Sequence, residues 1–314
     1  MPQIVSNITE PFRTLPLSSP IALWLGDCEA ILEALPKRPL FDLVVTSPPY
    51  LVGKAYERRK SMSLDDFLAW QGRIFAACAA RLKPTGSICW QVGTHVTGQK
   101  RSSEIVPLDL LLYPRFAATG LTLRNRIIWH FRHGLHCHHR FSGRHETILW
   151  YAASGNYHYD LDAVRVPQKY PGKRHFRPGA KHGTYSGHIL GKNPSDVWDD
   201  IPNVNSNHPE KTGHPCQFPV ALVERLVRSL APVDGLVFDP FAGVASAGVA
   251  AVRTGRRFWG CERKRTYLMT GLSRLRKTID GTVPVRPLEQ PIFDPAHAHH
   301  DLLHRNDLPV AREA

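Results

Sequence analysis

The sequence predicts an α/β protein with a mostly parallel sheet and helices on both faces. Three observations carry this. Short apolar runs at 41–46, 236–238 and 257–261 are rich in the branched and aromatic residues that a strand buried on both faces needs. Segments of helical periodicity follow most of them. The strand–helix alternation occurs on both sides of an irregular stretch, residues 152–213, so the two halves belong to one layered fold.

Element by element, residues 1–20 are rich in Pro and Ser and read as an arm. Ile21–Leu25 reads as a strand ending in Gly26-Asp27. Cys28–Leu35 is a short helix closed by Pro36, and Phe41–Thr46 is a buried strand. Ser63 with Asp66 forms a capping-box pattern, after which Phe67, Trp70, Ile74, Phe75 and Cys78 repeat at helical spacing to about Leu82. Lys83-Pro84-Thr85-Gly86 reads as a turn and Ser87–Val92 as a strand. Pro107 suits the start of a helix through Phe116. Leu123–Phe131 and Glu146–Tyr151 are further strands. Order returns with helix Phe218–Leu230, strand Leu236–Phe238, helix Ala245–Thr254, strand Arg257–Cys261 and helix Arg265–Lys277. The expected organisation is an arm (1–20), a first half (21–151), the irregular region (152–213), a second half (214–280) and a tail (281–314).

The 314 residues suffice for a substantial core. Forty Lys and Arg against 27 Asp and Glu leave a net charge of +13. A surplus of that size favours a polyanionic partner through counterion release. It concentrates in the irregular region: between Ala163 and Pro194 no residue is acidic, while Arg165, Lys169, Lys173, Arg174, Arg177, Lys181 and Lys192 are basic. Six scattered cysteines with no C-x-x-C pair read as reduced thiols. The first ten residues lack the pattern of a secretion signal, and no stretch is apolar enough to span a bilayer. A cytoplasmic, nucleic-acid-facing protein is the expectation.

Two motifs carry candidate chemistry. Asp239 ends a strand, Gly243 sits in the following turn, and a helix of small residues follows. Such a layout lets backbone N–H groups approach a ligand closely. Glu262 closes the next strand, where dinucleotide-binding folds place an acidic residue on a ribose diol. The other motif is Ser47-Pro48-Pro49-Tyr50. An exocyclic base amine is a poor nucleophile because its lone pair is conjugated into the ring. The Ser47 hydroxyl and the Pro48 carbonyl can accept its protons from a rigid turn. Tyr50 offers a face on which an extruded base could stack. Pro215-Cys216 resembles the nucleophile of enzymes that add a thiolate to cytosine. It leads straight into a helix and would leave Ser47 to Tyr50 without a task, so a loop over the ligand is the better reading. The cluster His130, His133, His136, Cys137, His138 and His139 lacks a second ligand pair. With Trp129, Phe131, Arg132, Arg140 and Phe141 interleaved, it reads as a nucleic-acid-facing loop, and no metal is expected.

The order of motifs completes the picture: Gly26-Asp27, Thr46 to Glu57, His145 to Tyr151, a variable basic segment, His214-Pro215-Cys216-Gln217-Phe218-Pro219, Asp239-Pro240-Phe241-Ala242-Gly243, then Gly260-Cys261-Glu262. Over residues 21–276 the chain resembles the β-class amino-methyltransferases of DNA, a permuted group in which the catalytic motif precedes the cofactor motif. The resemblance implies a Rossmann-like methyltransferase fold, S-adenosyl-L-methionine (SAM) as cofactor, double-stranded DNA as partner, and often a homodimer, with a restriction nuclease as a further partner in some settings. It implies that Asp27, Thr46, His214, Gln217, Asp239, Pro240, Phe241, Gly243, Ser246 and Glu262 bind SAM. Ser47, Pro48, Pro49 and Tyr50 would act on the base. Lys54, Arg132, Arg140 and the basic residues from 165 to 192 would meet DNA, with 152–213 as target recognition region. Two departures stand out. Ala245 occupies a position usually held by Gly, tolerable if its φ is negative. A Ser at 47 is commoner among N4-cytosine enzymes. Against that, Gly53 to Glu57 and Gly191 to Trp198 look like adenine enzymes, and adenine N6 is the favoured reading, with cytosine N4 the alternative. A catalytically dead DNA-binding relative and an enzyme acting on RNA are the rivals.

Overall fold

The computed structural model describes residues 4–5, 18–50, 62–98, 100–134 and 136–290. In chain order the elements are β1 (Ile4–Val5), β2 (Ile21–Leu25), α1 (Cys28–Ala34), β3 (Phe41–Thr46), α2 (Leu64–Ala79), β4 (Leu82–Val92), β5 (His95–Thr97), β6 (Glu104–Val106), α3 (Leu108–Ala117), β7 (Thr122–His130), β8 (His145–Ala152), β9 (Val197–Trp198), α4 (Val220–Leu230), β10 (Leu236–Asp239), α5 (Ser246–Arg253), β11 (Arg257–Glu262) and α6 (Arg265–Ile279). Nine strands form one sheet in the order β1-β2-β11-β10-β3-β4-β8-β7-β9, and β5 and β6 pair as a separate hairpin. Pairings from β1 through β4 are parallel; β8 runs antiparallel to both β4 and β7.

Alternate strand residues feed two cores, as the period of two requires. Leu23, Leu43, Val45 and Val237 point toward α4, α5 and α6. Trp24, Val44, Trp90 and Phe238 point toward α1, α2 and α3. On this second face Phe75 stacks on Phe116 at 3.9 Å between ring centres, and Phe41 on Phe238 at 4.4 Å. The α2 start behaves as its sequence indicates: Ser63 Oγ accepts from the Asp66 N–H at 3.1 Å.

Three features differ from the sequence reading. The Lys83-Pro84-Thr85-Gly86 turn does not end a segment: β4 begins at Leu82, and these four residues bulge between the pairs Leu82–Phe41 and Ser87–Leu43. Lys83 folds back to place Nζ 2.8 Å from Asp42 Oδ2, and the same oxygen accepts from Leu236 N–H, so one buried carboxylate ties β3, β4 and β10 together. The hairpin β5–β6 and the edge strands β1 and β9 were not expected; each is two or three residues long, too short for a period to register. Finally, the start of the expected tail is packed. Val283 is buried, and Arg286 N–H donates to Glu210 Oε1 at 3.0 Å. The histidines at 297–304, Lys54 and the stretch 53–57 lie outside the described residues.

Candidate active site

The carboxyl ends of β3 and β10 are neighbours, with Val237 opposite Leu43 and Phe238 opposite Val44. Sheets of this kind bind ligands beyond such ends, where the chain reverses its direction of travel across the sheet. The two motifs therefore meet although nearly two hundred residues separate them. Their link is direct: Thr46 Oγ1 donates to Asp239 Oδ1 at 2.6 Å, and Phe241 N–H donates to the same oxygen at 2.9 Å.

A cavity of about 490 Å³ opens there, a size suited to a nucleoside-like ligand. Ser47, Pro48, Pro49 and Tyr50 form one wall. Pro240, Phe241 and Glu262 form another, and Asp27 and His214 complete it. Gly243 stands just behind. Its φ is +52°, and an added Cβ would meet His214 Nε2 at 3.3 Å, so a side chain there would be strained by conformation and crowded by the imidazole. Its N–H donates to Glu262 Oε2 at 3.0 Å, while Glu262 Oε1 accepts from Lys264 N–H at 2.6 Å. Those bonds fix the Glu262 carboxylate at the cavity wall. Burial raises its pKa, with the backbone N–H groups opposing.

Asp239 is fully buried. Loss of water pushes its carboxyl up to about 7, although the Thr46 and Phe241 bonds favour the charged form. Its Oδ2 has no hydrogen-bond partner among the described residues. An unpaired buried carboxylate oxygen is costly unless a cation arrives. His214 is held neutral: burial pushes its imidazole down to about 4. Its Nδ1 accepts from Cys216 N–H at 3.3 Å, and its ring meets Tyr267 edge-on at 4.5 Å.

The Ser47 to Tyr50 turn is anchored from α2. Gln71 Nε2 donates to the Pro49 carbonyl at 3.3 Å and Trp90 Nε1 donates to Gln71 Oε1 at 3.0 Å. Ser47 Oγ and Tyr50 Oη lie 2.5 Å apart. Tyr50 is only 7% exposed, with its ring seated on Gly93, where a Cβ would come within 2.5 Å of Cδ2.

Other expected site residues serve the frame. Gln217 turns inward: its Oε1 accepts from Thr212 Oγ1 and its Nε2 donates to the Glu210 carbonyl, so its amide closes its own loop. Ser246 Oγ accepts from Arg274, which also donates to the Val244 carbonyl. Thr46 orients Asp239. Asp27 lines the cavity while capping α1 through the Glu29 N–H. Ala245 has φ +58°, so the negative-φ condition is not met. Its Cβ packs instead toward α6, where a Cβ on Gly271 would sit 3.2 Å away. The cavity also holds residues that motif reading passed over. Trp70 meets Phe241 edge-on at 5.4 Å, and Arg263, Lys264 and Arg265 make a basic rim. Trp70 carried only a helix-periodicity signal; the three cations directly follow Glu262 and were legible as a run.

Lys169, Lys173, Arg174, Arg177, Lys181 and Lys192 are exposed. Arg165 is tied to Asp162 and the Gly191 carbonyl, Arg132 to Asp199, and Arg140 to the Phe141 carbonyl. Among the described residues no cluster of three metal-ligating side chains exists, and no helix is long and apolar enough to cross a membrane.

A family model described as DNA methylase, for N6 and N4 methyltransferases, matches residues 41–272. The Type II methyltransferase M.BglII of Bacillus subtilis is 44% identical over 246 residues, which span 78% of this chain and 66% of that enzyme, just under two thirds of its length. The DNA adenine methyltransferase YhdJ of Escherichia coli K12 is 30% identical, covering 80% of this chain and 81% of that one. Among solved structures, a DNA modification methylase of Thermus thermophilus complexed with SAM is 27% identical with a TM-score of 0.59, covering 85% of this chain and 99% of that one.

Proposed function

The chain belongs to the N6/N4 DNA methylase family, whose cofactor is SAM, and we propose that it methylates the exocyclic amine of a base extruded from double-stranded DNA. One observation carries the reading: the Ser47 to Tyr50 turn and the Pro240, Phe241 and Glu262 wall line a single cavity. The residues suit SAM. Glu262 and Asp27 are acceptors for a ribose and an adenine, and Phe241 and Trp70 supply apolar faces; Asp239, buried behind the Pro240 and Phe241 wall, has an unpaired Oδ2 that would suit a cationic group brought to it. SAM supplies an electrophilic methyl on sulfur. This chain's share is positioning and hydrogen bonding: Ser47 Oγ and the Pro48 carbonyl accept from the amine and help its nitrogen become tetrahedral. The exposed cations of 169–192 face phosphate, and the likeness to a Type II enzyme supports a protective role beside a nuclease.

For the base, we infer cytosine N4, on the side chain at 47 rather than on the shape of the cavity. Of the features that pointed to adenine, residues 53–57 lie outside the described structure. In the other, Trp198 is buried under Arg225, 4.9 Å from the guanidinium, and holds the sheet edge. Ser47 is the discriminating residue that does line the cavity. Adenine N6 keeps one specific support, the identity to an adenine enzyme. Mass spectrometry of nucleosides from DNA treated with protein and SAM decides. N4-methylcytosine is expected; N6-methyladenine selects the second reading. Neither product, under conditions where SAM binds, refutes methyl transfer to DNA. In the same assay Tyr50→Ala should weaken base capture, because base–aromatic stacking is worth about 1–3 kcal/mol; unchanged turnover would mean that the base lies elsewhere.

A further inference from the structure

Behind the catalytic turn stands a carboxylate that does not line the cavity. Glu146, near the start of β8, reaches toward Tyr50: Tyr50 Oη donates to Glu146 Oε2 at 3.4 Å, while Ser47 Oγ stands 2.5 Å from Tyr50 Oη. The side chain of Gln91 on β4 donates to the same Glu146 oxygen and fixes the carboxyl. Among the described residues Glu146 makes no ion pair, so it is not there to neutralise a cation. Its partner across the sheet on β7 is Trp129, which does not titrate.

We propose that Glu146 is the positioning residue that receives the proton lost by the base amine, through the hydroxyls of Ser47 and Tyr50. The inference rests on the methyl-transfer reading. In that reaction a nitrogen–carbon bond forms as the sulfur–methyl bond breaks, and sulfur keeps the electron pair. The nitrogen then carries one proton too many. It passes to Ser47 Oγ as the Ser47 proton moves to Tyr50 Oη and the Tyr50 proton to Glu146 Oε2. The cationic donor and the Glu146 carboxylate both end neutral, so charge balances. Neither hydroxyl can store the proton alone, since both return to their starting state. A hydrogen bond at the long end of the range is usual for a catalytic contact before substrate arrives. Loss of hydration raises the Glu146 pKa, against the bonds from Gln91 and Tyr50, which makes it a better acceptor than an ordinary carboxylate.

The test is single-turnover methyl transfer from labelled SAM, at saturation, to long unmodified DNA of mixed sequence, followed from acid to neutral pH. The wild-type protein must first transfer label; if it does not, the functional reading fails and this inference with it. Given wild-type turnover, the rate should rise with pH through one ionisation and level off. Glu146→Gln keeps the shape of the side chain. It should lower the plateau by tenfold or more and erase the acid limb, with SAM affinity within twofold. Glu146→Asp should restore the limb at a reduced plateau. A Glu146→Gln variant within twofold of wild type, or one that is slow but keeps the limb, overturns the proposal; the second result would leave Glu146 with a purely structural role. Among the described residues the polar groups that reach this carboxyl are Gln91 and Tyr50.

Discussion

Asp239 and Ala245 show how much this site asks of single residues. With its pKa at about 7 against an ordinary 3.8, Asp239 binds a proton in the folded protein that it releases in the unfolded chain between those values. Stability of the SAM-free protein should therefore fall as pH climbs from about 4 to about 7, then level. A cation beside Oδ2 reverses the preference, because it favours the charged form. The ratio of wild-type to Asp239→Asn affinity for SAM should be near one at low pH, grow through about pH 7 and then plateau. Calorimetric titration at several pH values checks it, and a ratio independent of pH would show that no cation reaches this carboxylate. Ala245 adopts a left-handed backbone, which costs about 1–2 kcal/mol for a residue with a Cβ. Its methyl fits because α6 presents Gly271 there. Gly271→Ala should thus cost less stability in an Ala245→Gly background than in wild type, as a double-mutant melting cycle would reveal. Since the Ala245 methyl faces α6, Ala245→Gly should leave SAM affinity unchanged; a gain in affinity would support the reading of a dead relative.

At the scale of elements, the Ser47 to Tyr50 turn is held by its neighbours, and Gly93, just past the end of β4, is the part that can be tested. A methyl there would drive into the Tyr50 ring. Gly93→Ala should cut turnover at least tenfold, with SAM affinity kept within a few-fold, since Phe241 and Glu262 are untouched. Equal losses in both would mean that the turn itself had collapsed. The long elements were legible because each has a strong period or a cap: the expected bounds of α2, β3, α4 and α6 fall within a few residues of those observed. What stayed illegible has a physical reason in each case. The Lys83 to Gly86 bulge has the composition of a turn, and only pairing across β3 shows that the strand continues. A motif states that a residue is needed but not which way it faces, so the inward hydrogen bonds of Gln217 and Ser246 are not legible from it. Glu146 lies within the His145 to Tyr151 motif, and only its distance to Tyr50 gives it a meaning.

For the whole molecule, the decisive fact is that β3 and β10 lie side by side, which sequence order alone does not reveal. The molecule carries two kinds of chemistry: a cavity at the strand ends whose lining includes Asp27 and Glu262, and an exposed basic stretch from 169 to 192. If that division of labour holds, the two can be changed independently. Replacing Lys169, Lys173, Arg177 and Lys181 together by Ala removes exposed charges without touching any residue of the cavity. Every phosphate that thereby goes without its cation should flatten the slope of log K for DNA against log salt by about 0.9. The variant should bind DNA more weakly at low salt, approach wild type as salt rises, and bind SAM as before. A salt slope equal to wild type would move the DNA away from this surface. A second cationic feature that could then meet the backbone is the Arg263 to Arg265 run, which lines the cavity.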